Sequence, residues 1–270
     1  GPLVSLANQS QVPQSFMISF KGNGKTGLIA VVPARGGSKG IHKKNLCEID
    51  SLSLVGWALR AALASKCVDS VILTTDDDEI SALGVKEGAT VIRRPHFLSG
   101  DESSTLSVLQ HLLPSLSKHD PFLKGVVLLE PTSPFRPAGV VDTCAEKFFS
   151  SNATQTVATV VAVDRNPRYI LTSYGDTARF LIEKPELTFT RRQDFTHLKR
   201  VNGCVYVYSV ASIEAGQLLT DPLRIIEMSS EFSVNIDSII DLELARLIYR
   251  RLSMERRPFA YIIDQDSPQQ

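Results

Sequence analysis

From Leu28 onward, short apolar runs alternate with segments whose apolar residues recur at helical spacing. That alternation constrains the fold more than any other feature, because a strand buried on both faces by crossover helices reads as a continuous run of Val, Ile and Leu. Leu28–Pro33, Val71–Thr75, Thr90–Arg93, Val126–Glu130 and Val157–Val163 have that composition. Between them, Leu52, Val55, Leu59, Ala62 and Leu63 predict one helix. A second is expected from Asp76-Asp-Asp-Glu79 to about Glu87, a third from about Ser103, and a last, amphipathic one over Leu242–Leu252. The expectation is an α/β fold, a mostly parallel sheet with helices on both faces.

Residues 164–200 interrupt the pattern: they are rich in Arg, Pro, Tyr and Thr without clear alternation. They read as an inserted arm in a core formed by 28–163 and 201–265. Residues 1–27 are rich in Gln, Ser, Gly and Asn, without the basic-then-apolar order of a secretory signal, and read as a flexible leader or tag. With 270 residues and 43% hydrophobic content, one core with an insertion is well supported.

The 29 basic and 29 acidic residues cancel, so no global field recruits nucleic acid or an anionic membrane, and any anionic ligand must be held locally. The basic residues fall in loops without an array of stacking aromatics, which also argues against a nucleic-acid partner. The apolar runs are too short to span a bilayer. Cys47, Cys67, Cys144 and Cys204 are scattered without metal-ligand or disulfide-framework spacing and read as reduced, buried thiols. The sequons at Asn8 and Asn152 are short enough to arise by chance and do not establish secretion.

Three glycine motifs compete for a phosphate. Gly22-Asn-Gly-Lys-Thr-Gly27 has dinucleotide-fingerprint spacing, but a strand follows it, so no helix N-terminus would meet the pyrophosphate. Gly24-Lys-Thr26 fails as a P-loop because Ser19 stands where its first glycine belongs. Arg35-Gly-Gly-Ser-Lys-Gly40 instead leaves a strongly apolar strand and brings bare backbone amides to the sheet edge, with Lys39, Lys43 and Lys44 around it. Such a segment is either a phosphate cradle or a glycine-rich turn with solvated cations. Asp76-Asp-Asp-Glu79 reads as the charged cap of a helix in preference to a metal cluster. Pro131 and Pro134 break the chain after a strand and leave a loop at the carboxyl edge, where open α/β sheets place ligands.

Ile29-Ala-Val-Val-Pro-Ala-Arg-Gly-Gly-Ser-Lys-Gly-Ile41, followed by Lys44-Asn45, resembles the opening motif of the acylneuraminate cytidylyltransferases, the CMP-sialic acid synthetases. Four further segments resemble that family in order. They are Arg94-Pro-His-Phe-Leu-Ser-Gly-Asp101 with Ser104-Thr105; Leu129-Glu-Pro-Thr-Ser-Pro134; Arg192-Gln193 with Val201-Asn-Gly203; and Ser233-Val-Asn-Ile-Asp237 with Asp241-Leu242. The resemblance covers about Leu28 to Arg250.

It implies a nucleotidyltransferase core with a dimerising arm, and transfer of a cytidylyl group from CTP to the anomeric hydroxyl of an acidic nine-carbon sugar. The acceptor is a sialic acid or a related nonulosonate such as a legionaminic acid. By resemblance, Ala34, Arg35, Gly36, Gly37, Ser38, Lys44, Asn45, Arg94 and Ser104 bind nucleotide; Arg35, Lys44 and Asp237 are catalytic; and Glu130, Arg192 and Gln193 shape the sugar pocket. Spacing to Asn202-Gly203 favours Arg192 over Arg191. Mg²⁺ is the implied cofactor, held by Asp237 and Asn235, and neither His42 nor His197 is assigned as a base. The implied partners are CTP, the sugar and a second copy of the chain. The implied site is intracellular, cytoplasmic first, with nucleus or secretory pathway as alternatives in an animal source.

Two positions depart from the family pattern: Glu130 stands where glutamine is usual, and Asn235 where the first metal-binding aspartate is usual. Asparagine neutralises less metal charge than aspartate. One expectation is that Glu130 compensates, keeping the number of acidic groups constant. The alternatives are a changed acceptor or nucleotide, or a weakened nucleotide-binding homologue.

Overall fold

A computed structural model of the chain describes residues 25–38, 40–100, 103–182, 197–257 and 259. β1 (Leu28–Pro33) is the centre of a sheet and shows why a continuous apolar run suits that place. Leu28, Ala30 and Val32 enter one core and Ile29 and Val31 the other, all fully buried. β1 pairs in parallel with β4 (Ser70–Thr75) and with β6 (Gly125–Leu128), and β4 pairs in parallel with β5 (Thr90–Arg93).

On the other side, β10 (Lys199–Ser209) runs antiparallel to both β6 and β7 (Val157–Ala162), and β11 (Arg224–Glu227) closes the edge parallel to β7. The seven strands lie in the order β11-β7-β10-β6-β1-β4-β5. The expected mostly parallel sheet is therefore present, with β10 as its one reversed strand. It begins at Lys199, two residues before the expected start at Val201, because Lys199 and Arg200 already pair with Ala162 and Val161.

Helices α1 (Leu54–Leu63), α2 (Asp78–Glu87), α4 (Val140–Phe149) and α6 (Ile239–Met254) send buried residues into the core below the sheet. The opposite core is filled by α3 (Thr105–His119) and by Ile213 of α5 (Val210–Glu214). Trp57 anchors the larger core. Its indole N–H donates to the Ile49 carbonyl at 3.1 Å, and its ring meets Phe135 and Phe259 edge-on.

The α1 stripe differs from expectation at both ends. Ser53 accepts from the Gly56 amide and so caps the helix, leaving Leu52 in a hairpin of β2 (Glu48–Ile49) and β3 (Leu52–Ser53). Leu63 turns outward and is 42% exposed. α2 starts as expected: Asp77 accepts from the Ile80 amide at 2.9 Å, and Gly88 ends the helix in the left-handed region at φ 93°.

α6 begins with a reciprocal cap in which Ser238 accepts from the Asp241 amide and the Asp241 carboxylate accepts from the Ser238 amide. Ser238→Ala is expected to lower unfolding stability by about 1 kcal/mol. Urea denaturation would show this as a lower midpoint at an unchanged slope; an unmoved midpoint would deny the cap its role.

In the insertion, β8 (Leu171–Tyr174) and β9 (Thr177–Phe180) form a fully exposed antiparallel hairpin. No helix among the described residues is long and apolar enough to cross a membrane. Residues 1–24 of the expected leader lie outside the described residues.

Candidate active site

The glycine-rich segment leaves β1 at the carboxyl edge of the sheet. Ala34 is still core, and its amide donates to the Thr74 carbonyl at 3.0 Å. After it the chain turns, fixed from both sides. The Gly36 amide donates to Asp76 at 2.9 Å, and the Asn45 side chain donates to the Arg35 carbonyl at 2.9 Å. A Cβ at position 36 would lie 2.7 Å from an oxygen of Asp77, and one at position 40 would lie 2.3 Å from the Asp237 carbonyl. Glycine is required at both places by close approach. The second contact presses the loop against the segment that holds Asp237.

Above this loop lies a cleft of about 250 Å³. Arg35, Gly37, Ser38, Lys44 and Asn45 line it from the loop; Arg94, Ser103 and Thr105 from the second wall; Glu130, Pro131 and Thr132 from the turn after β6. Of the residues the sequence nominated for nucleotide, six therefore converge: Arg35, Gly37, Ser38, Lys44, Asn45 and Arg94. Ala34 is buried beneath, and the Gly36 amide is committed to Asp76. Ser104 caps α3 by accepting from the Ser107 amide, and its neighbours Ser103 and Thr105 reach the cleft instead. Lys43 turns away to pair with Glu79 on α2. Lys39, Asp101, Arg192 and Gln193 lie outside the described residues.

The cleft is electrostatically unbalanced in favour of an anion. Arg94 is 9% exposed, its Nε has no hydrogen-bond partner, and one terminal nitrogen reaches the Thr74 carbonyl at 3.3 Å. Burial pulls its pKa down, the Asp76 carboxylate opposes that, and the neighbouring Arg35 adds to it. Two guanidinium groups thus share one space beside backbone amides, an arrangement that a phosphate chain would satisfy.

The opposite wall carries the departures. Burial pushes the Glu130 carboxyl above its usual range; the guanidinium of Arg136 opposes that, Asp237 adds to the rise, and Lys44 opposes it. Arg136 is fully buried and forks between the Cys204 and Glu130 carbonyls, both at 2.9 Å, so it ties the β6 turn to β10. Gly203, at φ +76°, packs where a Cβ would lie 3.0 Å from the Ser133 hydroxyl and 3.5 Å from the Glu130 carboxylate. Asn202 is buried beneath it, accepting from Thr159 at 2.6 Å and donating to Ser233 at 2.9 Å.

Lys44 links the cleft to Asp237, its ammonium 3.1 Å from an oxygen of that carboxylate; Asp237 and Asn235 are themselves not among the residues that line the cleft. The other Asp237 oxygen accepts from the Asn235 side-chain amide at 2.5 Å, while the Asn235 carbonyl oxygen accepts from the Ser133 hydroxyl at 3.3 Å. Asn235, nominated as a metal ligand, therefore shows Asp237 its nitrogen. The described residues contain no group of three or more His, Cys, Asp or Glu gathered on one point. The oxygens offered here are those of Asp237, because the Asn235 oxygen is taken by Ser133; Asp237 also raises the pKa of the Glu130 carboxyl. A lone carboxylate supplies hard oxygen of the type a magnesium-class cation takes, but not a full shell of protein ligands.

The sequence assigned no site role to Ser133, Arg136 or Thr105, and it marked Asp76 only as part of a helix-capping acidic run, whereas Asp76 accepts from the Gly36 amide. Thr105 and Ser133 lay within quoted motifs, and Arg136 was signalled only as a charge inside an otherwise apolar stretch after Pro134.

The sequence profile of the cytidylyltransferases matches residues 29–251. The N-acylneuraminate cytidylyltransferase of Oncorhynchus mykiss is 32% identical over 229 residues, covering 82% of this chain and 50% of that protein. The CMP-N,N'-diacetyllegionaminic acid synthase of Legionella pneumophila is 28% identical over 225 residues, covering 80% of this chain and 94% of that protein. Among solved structures, a CMP:2-keto-3-deoxy-manno-octonic acid synthetase complexed with CTP superposes with a TM-score of 0.63 at 16% identity, covering 83% of this chain and 98% of that one. The chain spans about half the length of the first curated relatives it matches, 50% and 54%.

Proposed function

The chain belongs to the cytidylyltransferase family, and from that premise we propose that it transfers the cytidylyl group of CTP to the anomeric hydroxyl of a sialic acid or related nonulosonate, releasing pyrophosphate. The observation that carries this reading is the convergence of Arg35, Lys44 and Arg94 on the glycine-rich loop in one cleft at the sheet's carboxyl edge. The legionaminic acid relative supports it further, because this chain covers 94% of that protein.

In-line attack on the α-phosphorus builds charge on the phosphoryl oxygens and on the departing pyrophosphate, so positioning and neutralisation are what the protein must supply. Arg35 and Lys44 meet the triphosphate, with the Gly37 and Ser38 backbone beside them. Arg94, Asn45 and the Ser103–Thr105 edge hold the nucleoside end. Glu130 faces the acceptor, and by resemblance Arg192 and Gln193 would serve it too, since its carboxylate suits a bidentate guanidinium. Asp237 is the carboxylate that would hold Mg²⁺, and the chemistry Mg²⁺ supplies there is charge neutralisation on the phosphate oxygens.

The exposed apolar residues of the insertion, Tyr169, Ile170, Leu171, Tyr174, Phe180 and Leu181, support an arm that pairs two copies into a homodimer. Four free cysteines, three of them buried, suit a reducing intracellular compartment where CTP is made.

Pyrophosphate release measured with CTP, Mg²⁺ and a panel of sialic and legionaminic acids tests the reading. Turnover with at least one acceptor is expected. CTP binding without turnover on any acceptor would instead mark a nucleotide-binding homologue.

A further inference from the structure

A carboxylate pair and a carboxylate–amide pair make opposite demands on a cation. Two aspartates at positions 235 and 237 would repel each other unless a cation stood between them. The amide at 235 removes that demand, provided its nitrogen faces Asp237.

The Asp237 carboxylate only accepts, so the Asn235 amide nitrogen must face it, and Ser133 is placed to take the amide oxygen. Ser133 is fully buried, and its hydroxyl proton is shared between the Asn202 carbonyl at 3.2 Å and the Asn235 carbonyl oxygen at 3.3 Å. With its oxygen held inward, Asn235 turns its nitrogen to Asp237 at 2.5 Å. Lys44 takes the second oxygen of the same carboxylate at 3.1 Å. Gly40 packs so close to this segment that a Cβ there would lie 2.3 Å from the Asp237 carbonyl oxygen. Each oxygen of Asp237 thus has one donor of the chain itself, while the side chain stays 69% exposed.

We propose that Asn235 is a positioning residue that donates to Asp237 in place of a second metal-binding carboxylate. The nucleotide-free protein then carries no preformed divalent-cation site, and the cation arrives on the triphosphate. Asp237 would be the carboxylate that meets such a cation, giving up its contact with Asn235 or Lys44 to do so. This rests on the proposed CTP chemistry for its second half only; the nucleotide-free half stands on Ser133, Asn235, Asp237 and Lys44.

Mn²⁺ titration of the full chain, followed by the paramagnetic signal of free Mn²⁺, tests it. Without nucleotide, the protein is expected to show no site below about 1 mM, and Asn235→Asp to gain one at least about tenfold tighter, as an added anionic ligand should. Asn235→Ala, the second variant, is expected to leave nucleotide-free Mn²⁺ uptake unchanged. Saturable sub-millimolar Mn²⁺ binding by the unaltered, nucleotide-free protein that Asn235→Ala abolishes would overturn the proposal. Adding CTP should raise Mn²⁺ uptake above that of the same CTP without protein; if it does so in no variant, the CTP reading fails while the nucleotide-free result still decides the role of Asn235.

Discussion

Lys44→Met is expected to lower kcat/KM for CTP by about 10²–10³-fold, the cost of removing a cation aimed at developing phosphoryl charge. The size of the effect follows from where the ammonium sits. Its side chain is 16% exposed and bridges the loop to Asp237 at 3.1 Å, in a cleft whose other wall carries Glu130. Taking it away removes a phosphate ligand and also the ammonium that offsets the charge of Glu130 and Asp237. Lys44 holds the Glu130 carboxyl down, so its removal lets that pKa rise further, and Glu130 keeps its proton to higher pH. Steady-state kinetics with CTP varied at saturating acceptor would show both a raised KM and a lowered kcat, and Lys44→Arg should recover part of the loss by restoring charge. A Lys44→Met enzyme within about threefold of the parent, with an unchanged melting curve, would remove Lys44 from the site.

The legibility of this fold in its sequence follows strand burial. β1 was readable because both of its faces are core, so six consecutive residues had to be apolar or small. The direction of β10 was not readable, since an apolar run carries no mark of its polarity, and antiparallel pairing with β6 is a tertiary choice. The same distinction runs through the site. Arg35, Lys44 and Arg94 declared themselves through motifs along the chain. Asp76 did not: among three consecutive aspartates, the one that binds the Gly36 amide is selected by the parallel pairing of β1 with β4, across 40 residues of sequence. Ser104 and Thr105 show the finest limit. Both lie in one motif, but the one that caps α3 cannot also face the cleft, and helix geometry assigns those roles. Arg136 was hidden by its burial, because a fully buried guanidinium forking two carbonyls leaves no periodicity for a sequence reading to find.

Exchanging Glu130→Gln and Asn235→Asp together is expected to preserve activity better than either exchange alone. Around Lys44 the parent chain sets two carboxylates, Glu130 and Asp237, and Asp237 raises the cost of the Glu130 charge. Asn235→Asp by itself adds a third negative group against the same single ammonium and replaces the donor to Asp237 with a repelling oxygen. Glu130→Gln by itself removes negative charge from the metal-bearing side and leaves Arg136 buried without its anionic neighbour. Each single variant should therefore lose about 10- to 100-fold in kcat/KM, where a charge added or removed beside the transferring phosphate is felt at full strength. The double variant restores the carboxylate count near the triphosphate but not the partner of Arg136, so it should recover most of the loss and stop short of the parent. In a double-mutant cycle on kcat/KM, that recovery is a coupling of about 1.4 kcal/mol or more, a factor of ten in rate. Additive losses would show that the two positions act independently, Glu130 on the acceptor and Asn235 on Asp237. The compensation would then have to be abandoned even if both single effects came out as large as expected.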